Sequence, residues 1–127
     1  MSSVVVVCSR KPGVADFIAS YLRDAGIPSV AFIDPVRAEI EISSASVTVR
    51  ATVIHCYPPA LVDFPFYPLA RRLSNYLTDS RRRIVLLAPN ERLAGWDGLA
   101  TIFVEHDVFS NLTKLAKYLK RLPSIGS

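Results

Sequence analysis

Short apolar runs rich in β-branched residues alternate along this chain with stretches whose apolar positions recur every three or four residues. Val4–Cys8 is four valines and a cysteine without a break, the pattern of a strand covered on both faces. After it Val14, Phe17, Ile18, Tyr21 and Leu22 fall at helical spacing, with Pro12 suited to the first turn and Gly26 to the stop. Val30–Ile33 predicts a second strand, closed by Asp34-Pro35. Thr52–Tyr57 predicts a third, Ile84–Ala88 a fourth and Thr101–Val104 a fifth. The Pro-rich stretch 58–68 reads as a loop, followed by a helix over Leu69–Leu77. A last amphipathic helix buries Leu112, Leu115, Ala116, Leu119 and Leu122, with Ser110 as its N-cap.

Two connections break the rhythm. A crossover helix belongs between the second and third strands, yet Glu39-Ile40-Glu41-Ile42 and Ser46-Val47-Thr48-Val49 alternate with period two. Residues 36–50 therefore read as partly extended, with Ser43-Ser44-Ala45 as the turn of a hairpin. Between the fourth and fifth strands only residues 89–100 remain, room for one or two turns around Leu93, Trp96 and Leu99. The alternation as a whole predicts one α/β domain over residues 1–127, a parallel sheet with helices on both faces.

The 127 residues suit a single core, and half of them are hydrophobic, which excludes a disordered tail. No apolar run reaches the length of a membrane span. Met1-Ser2-Ser3 brings no basic region before the first valines, so the start reads as a strand and not as a signal peptide. Two cysteines, Cys8 and Cys56, build no disulfide framework, and the cytoplasm is the expected compartment. The net charge of +4 is uneven: residues 1–70 hold five Lys/Arg against six Asp/Glu, and residues 71–127 ten against five. Arg71, Arg72, Arg81, Arg82, Arg83, Lys114, Lys117 and Arg121 are thereby candidate anion contacts, and also ordinary members of solvated faces.

Pro12, the apolar register of Val14, Phe17, Ile18, Tyr21 and Leu22, and then Asp24-Ala25-Gly26 resemble the first helix of a response-regulator receiver domain. The run from Ile102 through Leu122 is similar to that family's last strand and helix, and the fourth strand also fits. The resemblance covers about two thirds of the chain. It implies a flavodoxin-like, doubly wound sheet of five strands in the order 2-1-3-4-5, here with an atypical second crossover and a short fourth helix.

The resemblance also implies a site. Receivers hold Mg²⁺ with an acidic pair after the first strand and accept a phosphoryl group on an Asp ending the third. A hydroxyl after the fourth strand and a Lys after the fifth orient its oxygens. Carboxylates suit a hard cation, and cations and hydroxyls suit phosphoryl oxygens. In this register the acidic pair becomes Ser9 and Arg10, the acceptor Cys56 within one residue, the hydroxyl Ala88 and the Lys Glu105. These are degenerate positions. They imply a pseudo-receiver that does not autophosphorylate, with the Arg10 guanidinium in the space of the metal and Glu105 as its partner.

Other chemistry has little to build on. Five glycines form neither a dinucleotide fingerprint nor a P-loop. Cys8 and Cys56 end adjacent strands, and with His55 suggest a redox pair or soft-metal site. His55 and Cys56 point to opposite sides of a strand, so core packing is the better reading. His106 beside Glu105 and Asp107 reads as a solvated helix entry. No catalytic constellation, metal site or cofactor site is expected. The reading is a regulatory or adaptor module acting through a protein partner, self-association included, without a membrane. Its interaction face is Leu93, Trp96, Leu99 and Phe103, next to the edge strand. Two alternatives stand beside it. One is a nucleic-acid-associated protein using the basic second half; the other is a flavodoxin-like enzyme with a site at the strand C-termini.

Overall fold

The computed structural model describes residues 3–44, 48–55, 67–74, 80–88, 101–104 and 112–123. Five parallel strands form one sheet: β1 (Ser3–Cys8), β2 (Ser29–Phe32), β3 (Thr48–His55), β4 (Ile84–Ala88) and β5 (Thr101–Val104), in the order β2-β1-β3-β4-β5. The helices are α1 (Val14–Asp24), α2 (Pro35–Ser44), α3 (Tyr67–Ser74) and α4 (Leu112–Arg121), with a 3₁₀ turn at Ser80–Arg83. The parallel α/β class follows from the alternation of strand and helix patterns.

Each strand face feeds its own core. Val5, Val7, Ala51, Val53, Val85 and Leu87 pack against α1 and α4. Val6, Cys8, Val49, Ile54, Ile84 and Leu86 pack against Ala38 of α2 and Leu69 and Ala70 of α3. The split is the period-two alternation of the strand side chains.

Helix α1 begins one turn position later than Pro12 suggests. Gly13 sits before it in the left-handed region, with φ of 83°, and its carbonyl accepts the first helical N–H, from Phe17. At the other end Gly26, φ 89°, lets the chain reverse: Ile27 N–H reaches Leu22 O and Gly26 N–H reaches Arg23 O. This paired closure satisfies the last carbonyls of the helix and delivers Ile27 to the core beside Leu22.

Residues 36–50 do not form the expected hairpin. Pro35–Ser44 is helical. Asp34 caps it, its Oδ1 accepting the Val36 N–H and its carbonyl the Ala38 N–H. Asp34-Pro35 is thus a cap and first-turn pair, and it starts a helix as well as ending a strand. Ala38 faces the core and Ile42 lies against it, while Val36 and Ile40 face outward. Those two outward apolar residues create the period-two appearance of the stretch. The extended reading holds from Thr48 to His55 in β3, which starts four residues before the expected Thr52; residues 45–47 and 56–57 lie outside the described residues. Helix α3 likewise starts earlier than the expected Leu69, at Tyr67, and residues 75–77 lie outside the described residues. The expected short fourth helix and the Ser110 cap lie outside the described residues.

Register slips between Val4 and Val5 of β1, which pair with Val49 and Ala51 of β3, so Arg50 is the extra residue of a bulge. Its guanidinium donates to the carbonyls of Leu119 (3.1 and 3.2 Å) and Leu122 (2.7 Å) at the end of α4. Arg83, 2 % exposed, donates to Arg50 O (3.1 Å) and Pro123 O (2.7 Å). Two arginines thus cap the last helix and tie it to the sheet.

Val5→Asp and Val53→Asp each place a carboxylate in a fully buried position of the α1/α4 core. Desolvation costs several kcal/mol against a total stability of about 5–15 kcal/mol. Neither variant is expected to show a cooperative thermal transition; a soluble variant that melts cooperatively would show these strands are not central.

Candidate functional site

In a doubly wound sheet the first and third strands part at their C-terminal ends, because the crossovers leaving them run to opposite faces. Here that place lies between the ends of β1 and β3. Cys8 pairs with Ile54, so the next residues along, Ser9 and His55, come opposite each other. Ser9 Oγ and His55 Nδ1 share a hydrogen bond of 2.9 Å, and Ser9 Oγ accepts the Lys11 N–H at 3.1 Å. The Ser9 N–H donates to Phe32 O of β2 at 3.2 Å. Ser9 is fully buried and stitches together β1, β2, β3 and the first turn.

His55 is partly buried. Burial holds its pKa below the usual imidazole value, and the Lys11 ammonium lowers it further. The ring is therefore neutral near pH 7. Burial pushes the Cys8 thiol well above its ordinary range, so this free cysteine is a core residue and not a thiolate nucleophile.

Of the positions the resemblance assigns to a phosphorylation site, Ser9 is at the switch point and Ala88 ends β4, beyond the Leu87 that pairs with His55. Cys56 and Glu105 lie outside the described residues, as do His106 and Asp107. The residue brought to Ser9 is His55, one before Cys56. The register of two strands of unequal length decides this, and no local motif announces it. Arg10 is exposed, and Glu105, its expected partner, lies outside the described residues. A hydroxyl already bonded on two sides, a neutral imidazole and cationic Arg10 and Lys11 do not fit Mg²⁺, which asks for carboxylate oxygens. Among the described residues no three of His, Cys, Asp and Glu gather into a metal site.

The candidate anion contacts differ in exposure, and the Arg81 side chain lies outside the described residues. Arg83 is buried and spent on carbonyls, a correction to its expected role. Arg72 bonds Glu39 of α2. Arg71, Arg82, Lys114, Lys117 and Arg121 are exposed. Of the expected interaction face, Leu93, Trp96 and Leu99 lie outside the described residues; Phe103 is within β5, the sheet edge.

Neither a family model nor a curated protein matches the chain. Solved structures do. A chemotaxis protein of Vibrio cholerae, CheY4, superposes with a TM-score of 0.67 at 19% identity, over 97% of this chain and 99% of its own. This is the receiver fold. A receiver domain protein of Bacillus halodurans aligns at TM-score 0.64 and 17% identity, over 98% of this chain and all of its own. A sensor protein of a Polaromonas species aligns at TM-score 0.64 and 20% identity, over 95% and 94%. At these identities the likeness concerns the receiver fold alone. Among the described residues no helix is long and apolar enough to cross a membrane.

The lowered pKa of His55 has a consequence for stability. The unfolded chain takes up a proton near the ordinary imidazole value of about 6.5, and the folded chain only at lower pH. The stability from neutral His55 is full above about pH 6.5 and is lost as pH falls through that value towards the folded pKa. Melting temperature is expected to fall between pH 7.5 and 5.5, and to fall less in His55→Gln. Equal slopes in the two proteins would show that His55 contributes nothing. Ser9→Ala should cost about 1 kcal/mol, the net worth of a hydrogen bond.

Proposed function

We propose that this chain is a regulatory or adaptor module of the receiver type, which signals through protein contacts without accepting a phosphoryl group. The observation that carries it is the Ser9–His55 hydrogen bond at the switch point. A receiver's acidic pair and acceptor carboxylate exist to hold a divalent cation and a phosphoryl group. In this chain the matching positions are a hydroxyl, an exposed guanidinium and a neutral imidazole, which give the ion no anionic ligand. Ser9 is fully buried, so its hydroxyl is not presented as a nucleophile either, which argues against the enzyme reading.

The module works in the cytoplasm, where receiver-type modules meet their partners. It presents the edge strand β5 together with Leu93, Trp96, Leu99 and Phe103, since an unpaired edge is a template for association and Trp a frequent anchor. The nucleic-acid reading is weaker. Arg72 and Arg83, two of its candidate contacts, are engaged within the chain.

Beryllium fluoride with Mg²⁺, or acetyl phosphate, is expected to leave the amide resonances of Ser9, His55 and Ala88 where they are. A shift at these positions that saturates and requires Mg²⁺ would overturn the reading.

A further inference from the structure

The sheet has a second edge, at β2, and the apolar surface there is unusual. Val36 is 66 % exposed, Ile40 63 % and Ile33 57 %, and Val30 of β2 is exposed as well. On a helix, positions 36 and 40 are stacked neighbours, so Val36 and Ile40 form a stripe, with exposed Ile33 in the bend just before the helix. With Asp34, Arg37 and Glu41, Val36 and Ile40 line a shallow open depression. Opposite the stripe, Ala38 and Ile42 lie on the core, and Arg72 of α3 bonds Glu39, which sets the rotation of the helix. The outward stripe is therefore not a choice of alternative faces. It is also not required by helix formation, because Asp34 and Pro35 start the helix and Ala38 and Ile42 seat it. Exposed apolar stripes of this kind mark contact sites.

The charges beside the stripe say what the contact is. Arg37 stands towards its N-terminal end and Glu41 one turn later, paired within the helix at 3.0 Å and both largely exposed. A surface with a cation at one end and an anion at the other is complementary to itself when turned about a two-fold axis. Laying two copies of α2 antiparallel, with the axis passing between residues 38 and 39, puts Val36 against Ile40 of the other copy and Arg37 against its Glu41. We infer that α2 and the adjoining β2 edge form an isologous homodimer contact, with Val36 and Ile40 at its centre and Arg37 and Glu41 exchanged across it.

One helix and one strand edge make a small contact, so the dimer is weak and transient. It lies at the opposite end of the sheet from β5, and it stands whether or not the regulatory reading does.

Sedimentation over a concentration series tests it. The wild-type chain is expected to pass from monomer to dimer below about 1 mM, the weak end of specific affinities. Arg37→Glu alone creates a surface with two anions, and Glu41→Arg alone one with two cations. Each should dimerise at least about tenfold more weakly, because like charges then meet across the axis. Mixed together, the two single variants should form a heterodimer at wild-type strength. Only a contact between copies explains that rescue, since the pair within each helix stays broken in the mixture. Thermal melts confirm that both variants are folded, and Ile40→Ser should abolish the dimer while leaving the core intact. A wild-type chain that stays monomeric at about 1 mM overturns the inference, as does a mixture that fails to associate or a dimer that survives Ile40→Ser.

Discussion

Both faces of β1 have to be covered at once, because Val5 and Val7 enter one core and Val6 and Cys8 the other. A strand with no polar face has no stable place at a sheet surface, and so β1 takes a central position with β2 on one side and β3 on the other. From that placement the remaining geometry follows. Crossovers to the two faces leave β1 and β3 in opposite directions, and their C-terminal ends meet at the switch point of the sheet. The residue leaving β1 is Ser9 and the residue ending β3 is His55, so the chemistry of that gap is set by strand register.

At the other end of the sheet the same constraint meets a different difficulty. Helix α4 ends against the bulge of β3, where its last carbonyls need donors. Arg50, aimed by the bulge, and buried Arg83 supply them. A guanidinium suits this place because several fixed donors reach several carbonyls, and a buried charge is tolerated only when so satisfied. Part of the positive charge in the second half of the chain is therefore internal, and the charge count alone overstates what faces solvent.

How far the fold could be read from residues varies with the strength of the local signal. Helices α1 and α4 are legible because their apolar residues keep helical spacing for two or three turns. The valine run of β1 is legible because no helix face or half-exposed strand needs it. Helix α2 misleads, since Val36 and Ile40 break the amphipathic pattern outward and make a helical stretch look extended. The caps were the better guide there: Asp34 and Pro35 announce a helix start whatever the hydrophobic pattern beyond them. At the site, Ser9 could be placed from the end of β1 alone. The pairing of His55 with it could not, because it depends on β3 starting at Thr48 and carrying a bulge, neither of which is visible in local sequence.

The misread helix and the site share a cause. Each departs from expectation: α2 carries apolar residues where solvent would favour polar ones, and the switch point carries a neutral pair where the resemblance to receivers implies carboxylates. A sequence under selection for folding alone has no use for the first, since Val36 and Ile40 contribute nothing to either core and expose an aggregation-prone stripe. The second joins the strand ends through a hydrogen bond between two neutral groups. The sheet leaves two edge strands, β5 on one side and β2, next to α2, on the other. In the regulatory reading proposed above, occupancy of either edge would follow partner concentration.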